Sequence, residues 1–307
     1  MSGNITKFAP LLFLVVVLSV SSASVLVLLS GADATACAFW RTLIAGVIMA
    51  AGTIRGSRYS LIKGKYMVYS VLAGVMLSAH FIMWMKSLFM VPVAVSTTII
   101  VTYPLFNALA DAVILGETPS KLQILGLILA FTGVVLFIHP AVTVNYSIAG
   151  VLLALASALA VAGYFSLGRV VRRKVSLSEY TSIAYLVSAA VTATYAVVAG
   201  ENIINYPPKA YAYFVLLALV PMLGGHTLMN YLLRYFKTYV VSSLGFMEPV
   251  GASILAYLLL KQYVSTYTAT SMTLVLAGVF LVIAEESRSM KHKSSGGQVP
   301  PHETEEL

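Results

Sequence analysis

Apolar residues fall along this chain in blocks of about twenty, separated by short polar or basic stretches. A helix that crosses a hydrocarbon core needs about that many residues at 1.5 Å each. The blocks predict ten transmembrane helices, over residues 8–29, 33–53, 66–86, 92–115, 121–138, 147–167, 178–199, 211–235, 239–260 and 267–284. The connections are short. Gly116-Glu117-Thr118-Pro119-Ser120, the basic run Arg169 to Ser176, and Glu201 to Ala210 are the clearest of them. From Glu285 the chain turns polar, with Gly296-Gly297 and Pro300-Pro301, and residues 285–307 are expected to be a disordered cytoplasmic tail.

Composition agrees with this reading. Of 307 residues 59% are apolar and 10% charged, against about 45–50% and about 25% in soluble chains. A mean hydropathy of +0.91 cannot be hidden in a water-facing fold of this size, so soluble, disordered and coiled-coil classes are excluded. The single cysteine, Cys37, excludes an internal disulfide framework or a Cys-based zinc site. The first apolar block is too long for a signal-peptide core and is expected to be the first span.

Charge gives the orientation. With the N-terminus in the cytoplasm, the inner segments hold 15 of the 19 basic residues, and the outer segments hold Lys86, Lys209 and Lys261; Arg41 lies within a span. This imbalance predicts a multi-pass protein of the cell membrane with both termini cytoplasmic. The formal net charge of +8 is then explained by basic loops facing anionic lipid, and nucleic acid is not expected as a partner.

The two halves repeat. A shift of 145 places Pro104 on Pro249, Gly133-Val134 on Gly278-Val279 and Leu136 on Leu281; near a shift of 146, His80 falls on His226. Each half then carries five spans, an odd number, so the second half enters the membrane upside down relative to the first. Inverted repeats with a site between them are a transporter architecture.

The residues Val93-Ala94-Val95-Ser96, Tyr103-Pro104, Gly116-Glu117-Thr118-Pro119-Ser120 and Gly126…Gly133-Val134 resemble the drug/metabolite transporter superfamily, EamA family. Tyr239-Val240-Val241-Ser242-Ser243…Glu248-Pro249-Val250-Gly251-Ala252…Gly278-Val279 is similar to that family's C-terminal repeat, and the resemblance runs to about Ala284. Two places depart from it: Ser19…Ser21-Ser22-Ala23-Ser24 stands where Trp-Gly-Ser is common, and Lys261-Gln262 replaces the second Gly-Glu. The resemblance implies two five-helix repeats, 1–138 and 139–284, forming a ten-helix carrier. It would move a small organic metabolite by alternating access, in the direction of export.

No Gly-x4-Gly-Lys-Ser/Thr or His-Glu-x-x-His occurs, so neither an ATP motor nor a zinc protease is expected, and no cofactor, metal or catalytic residue is assigned. Polar residues inside spans are the functional candidates, because each is costly in hydrocarbon. His80 and Trp84 share one face of the third span, and His226 and Asn230 share one face of the eighth. The two faces are repeat equivalents and are expected to meet across a cavity. Tyr103, Asn107 and Asp111 follow one another at helical spacing in the fourth span, where Asp111 is a candidate for proton or cation coupling or a satisfied structural acid. Phe246 and Glu248 lie beside Pro249. Pro249 frees the carbonyl of Gly245, and a protonated Glu248 is suited to donate there. Arg41 is expected to snorkel or to pair with an acid such as Asp111. Glu117 is expected to cap the helix that follows it.

The partners implied are a small organic solute, membrane lipid and a coupled proton or other ion, and a homodimer is compatible with all of this. A polytopic enzyme acting on a lipid-linked substrate and a non-transporting scaffold are the competing classes. The enzyme would need its acids clustered at one membrane face, and the scaffold would not need paired prolines in both halves. Cysteine labelling should place both termini and the Arg169–Ser176 loop in the cytoplasm. Residues near Asn202 and Arg172 labelled from the same side would contradict the ten-span arrangement.

Overall fold

A computed structural model describes residues 2–55, 62–91, 93–138, 147–251, 254 and 266–295. The described chain is helical throughout. The segments are α1 (Phe8–Ser30), α2 (Ala34–Arg55), α3 (Lys65–Ser87), α4 (Val95–Leu115) and α5 (Lys121–Ile138), then α6 (Ile148–Arg172), α7 (Leu177–Ala199) and α8 (Pro208–Leu232). A shorter α9 begins with Thr238–Ser242 and a 3-10 turn, Ser243–Met247, and α10 covers Thr266–Ser295.

Among the described residues eight helices are long and apolar enough to span a membrane, rather than ten. The apolar stretch of α5, Lys121–Leu136, is shorter. Most of the C-terminal part of the ninth predicted span, with Lys261 and Gln262, lies outside the described residues. The tail expected to be disordered from 285 is helical as far as Ser295, while 296–307 lie outside the described residues. Glu286 explains part of that continuation, because its carboxylate folds back to accept from Gln123 of α5 at 3.1 Å and lies 3.8 Å from Lys237.

The outer surface is apolar. Val113, Ile148 and Val198 are more than 75% exposed, and Leu109, Leu152 and Phe280 are also exposed. In water such a surface would drive aggregation, whereas lipid tails are its natural solvent.

Without a hydrophobic force between helices in lipid, close packing of small residues holds them together. At the α5–α10 contact, a methyl group on Gly126 would lie 2.7 Å from the carbonyl oxygen of Gly278, and one on Gly133 would lie 2.9 Å from that of Ser271. Under the 145-residue shift Gly126 corresponds to Ser271 and Gly133 to Gly278. The two contacts are therefore images of each other, and the two helices run antiparallel.

Among the described residues the main helix contacts obey the same exchange. α3 packs on α6 as α1 packs on α8, α4 packs on α6 as α9 packs on α1, and α2–α7, α4–α9 and α5–α10 are pairs of equivalents. Swapping the halves leaves these contacts unchanged.

Besides α1, which breaks at Ser22, three helices are interrupted at or just before a proline. α4 breaks at Val101–Thr102 before Pro104, α8 widens into π turns over Ala218–Thr227 around Pro221, and α9 tightens over Ser243–Met247 before Pro249. Proline removes one backbone donor and crowds a carbonyl, which accounts for each break.

Gly278→Val should lower the melting temperature of the purified protein in detergent, at a cost of about 1–3 kcal/mol for overpacking. Gly52→Ala meets nothing within 4 Å and should leave the melting temperature within error of the parent.

Candidate functional site

The three breaks converge on a small cavity of about 40 Å³, lined by Val20 and Ala23 of α1, Arg41 of α2, His80 and Trp84 of α3, Ile100 and Tyr103 of α4, Val161 and Phe165 of α6, Pro221, His226 and Met229 of α8, and Glu248 of α9. The expected faces of α3 and α8 do meet there. The rings of His80 and His226 are 6.0 Å apart, His80 stacks on Trp84 at 6.1 Å, and His226 stacks on Phe165 at 5.7 Å.

His80 is oriented from behind by α6, because its Nδ1 lies 2.9 Å from the Ser157 hydroxyl, which also donates to the His80 carbonyl at 2.8 Å. Tyr103 takes the space a side chain would fill at Gly245: a methyl group there would collide with its ring. Glycine at 245 is what lets this tyrosine lie between α4 and α9.

Several polar atoms around the cavity lack partners. Trp84 Nε1, His226 Nδ1, Glu248 Oε1 and all three guanidinium nitrogens of Arg41 are buried without a hydrogen bond. Arg41 is 1% exposed and neither snorkels nor pairs with Asp111; its guanidinium lies 4.1 Å from the centre of the Phe81 ring. A cation over an aromatic face recovers about 0.5–2 kcal/mol. Leaving several charged donors unbonded costs more than that. Buried groups of this kind need water or a ligand, and the cavity has room for a few waters.

Four of the expected residues lie elsewhere. Asn107 donates from α4 to the Ala162 carbonyl at 2.8 Å and to Ser166 at 3.0 Å, so it fastens α4 to α6. Asp111 accepts from the backbone N–H of Tyr239 at 3.2 Å, which makes it an anchor for the start of α9. Asn230 sits one layer behind the cavity, donating to Tyr164 at 2.5 Å and to the His226 carbonyl at 2.7 Å. Phe246 is buried in the core.

Residues 7–139 and 148–284 each match the EamA-like transporter family. The chain belongs to that family. It is thus a multi-pass membrane transporter, of a family that is typically non-enzymatic. A solved crystal structure shares the fold, with a TM-score of 0.73 at 20% identity over 91% of this chain and 98% of the other. No curated protein matches.

Two ion-pair clusters close opposite ends of this EamA bundle. At one end Glu117 does not cap α5. It accepts from Arg169 at 2.9 Å and also binds Arg173, both from α6, while Arg169 donates to the Leu233 carbonyl at 2.5 Å. Ser120 and Gln123 cap α5 instead. At the other end Lys86 binds Glu201 at 2.5 Å and donates to Tyr195 at 2.6 Å, and Thr35 donates to the same carboxylate. Burial alone would push the Glu201 carboxyl up, but the bonds from Lys86 and Thr35 outweigh it and hold it below the ordinary carboxylate range.

Arg41, expected to snorkel or to pair with an acid, lines the cavity instead, where its neighbours come from other helices such as α3 and α9. The signal that marks it is a lone cation deep in an apolar block.

A carboxyl held down by its partners contributes above its unfolded pKa and loses that contribution as pH falls through the folded one. Acid, or Glu201→Gln at neutral pH, should therefore loosen the Lys86 end. Buried Cys37 lies in α2 near Thr35, so its maleimide labelling rate should rise, by at most about fivefold for a half-exposed pair.

Proposed function

We propose that this chain is a secondary carrier that moves a small organic solute through the central cavity by alternating access between two inverted five-helix repeats. The observation that carries the reading is the set of unbonded polar atoms, on Arg41, Trp84, His226 and Glu248, around a cavity where both halves meet. A structural core would satisfy these groups internally. A transport site leaves them for the solute.

Further support comes from the helix breaks. Irregular backbone at membrane depth is tolerated where it lines a cavity, and discontinuous helices at a repeat interface are a recurring feature of carriers. The antiparallel contacts of α4 with α9 and of α5 with α10 favour inverted repeats. The ion pairs at Glu117 and Glu201 are suited to close one end each, and breaking one at a time would expose the cavity alternately. Carriage of an ion with the solute belongs to the same reading, with Glu248 as the carboxyl that faces the cavity.

Counterflow of a labelled metabolite mixture in proteoliposomes tests this directly. His80→Ala and Trp84→Phe should each lower counterflow by about fivefold or more, the scale of one lost buried hydrogen bond, while the amount of folded protein stays unchanged. Parental rates in both variants would remove the cavity from the transport path.

A further inference from the structure

The cavity holds one permanent cation, and among the described residues nothing neutralises it by contact. Arg41 has Phe81 against one face of its guanidinium and all three nitrogens unbonded. The acids at the two ends of the bundle are already engaged: Asp111 with the start of α9, Glu117 with Arg169 and Arg173, Glu201 with Lys86, and Glu286 with Gln123 and Lys237. Among the described residues that line the cavity, Glu248 is the single carboxyl, and it makes no ion pair with Arg41 although the two interact across the space.

The other groups facing this pair are weaker candidates for balancing the charge. α1, which packs on α9, presents Ser21 and Ser24; α2 also carries Cys37, bonded to Ser30. His80 of α3 is held by Ser157, and His226 of α8 is packed between Phe81 and Phe165. Tyr103 of α4, Tyr164 of α6 and Tyr185 of α7 complete the set, with Tyr185 bonded to Thr227.

We infer that the solute is a small organic carboxylate whose head group binds Arg41 in place of the Glu248 charge, so that an anion binding while Glu248 is ionised takes up one proton. A planar carboxylate can accept two of the free guanidinium N–H groups side by side, and the unbonded Trp84 N–H is a further donor beside them. One cation in an apolar enclosure balances one negative charge. A doubly charged phosphate would leave an excess, and an amine would bring a second cation beside the first.

Glu248 ionised and a carboxylate bound together would also leave an excess of one. The proton that removes it comes from the aqueous phase and sits on the Glu248 carboxyl, and it leaves when the solute does. His80, Trp84, Tyr103 and Phe165 surround the body of the solute with rings, which suits an aromatic or apolar substituent. The cavity of about 40 Å³ is the closed state, and the solute enters once one end has opened.

This inference rests on the carrier reading, and binding assays on purified protein separate the two. Benzoate, benzamide and benzylamine present one ring with a negative, neutral or positive head. Calorimetry in nanodiscs should show benzoate binding at least tenfold more tightly than the other two. Repeating it in buffers of different ionisation heat, at a pH above the Glu248 titration, should give one proton taken up per benzoate.

Above the Glu248 titration the affinity should fall tenfold per pH unit. Glu248→Gln should bind benzoate with no proton uptake and a flat pH profile, and Arg41→Lys should weaken binding at least tenfold. Should the Arg41 variant fail to fold, the proton count in Glu248→Gln still decides. Benzylamine or benzamide binding as tightly as benzoate, no benzoate binding, or proton uptake that survives in Glu248→Gln would each overturn the inference. Active counterflow of labelled metabolites alongside such a result would leave the carrier reading standing, whereas absent counterflow would remove both.

Discussion

In hydrocarbon a backbone N–H or C=O has no water to bond, and each unsatisfied group costs several kcal/mol. That constraint makes every described segment of this chain helical, and it dictates where a helix is allowed to fail. The breaks at Val101–Thr102, Ala218–Thr227 and Ser243–Met247 all lie at the polar cavity in the middle of the bundle. Their prolines do not weaken the fold at random. They turn the ends of helix fragments toward one point, and side chains near them, Tyr103, His226 and Glu248 among these, arrive there together.

The same solvent sets the rules of packing. Lipid tails are as apolar as leucine, so helices gain little by hiding apolar surface from lipid. Contact therefore depends on small residues that bring backbones close. Gly126 and Gly278, Gly224 against Ser19, and Gly251 against Ser21 are such places. The serine run of α1, which departs from the family pattern, finds its purpose here. Ser21 and Ser22 bond back to the carbonyls of Val17 and Ser19, which bends α1 where it passes α8 and α9.

Much of this was legible in the sequence because lipid imposes a strong one-dimensional signal. Apolar blocks mark the helices, and a proline and a glycine in shared register mark the repeat. His80, Trp84, His226 and Glu248 stood out as polar residues in apolar blocks, and they do reach the cavity. Asn107, Asp111 and Asn230 stood out for the same reason, yet they serve contacts between helices. Spacing along one helix gives the face a residue shares but not which neighbour that face meets. Glu117 shows the limit most plainly: its turn reads as a cap, while its partners Arg169 and Arg173 are more than fifty positions away. Arg41 was underrated because its surroundings come from α3 and α9, which no local pattern connects to it.

The exchange symmetry of the packing has an energetic meaning. If the halves were identical, opening toward one side and opening toward the other would be the same structure with its parts renamed, and the two states would be equally populated. Any preference between them must then come from positions where the halves differ. Glu117 is one such position: the 145-residue shift carries it to Gln262, an uncharged residue that cannot form the double ion pair made with Arg169 and Arg173. On the alternating-access reading proposed above, the balance between the two openings would lie with such unmatched positions, the rim charges among them.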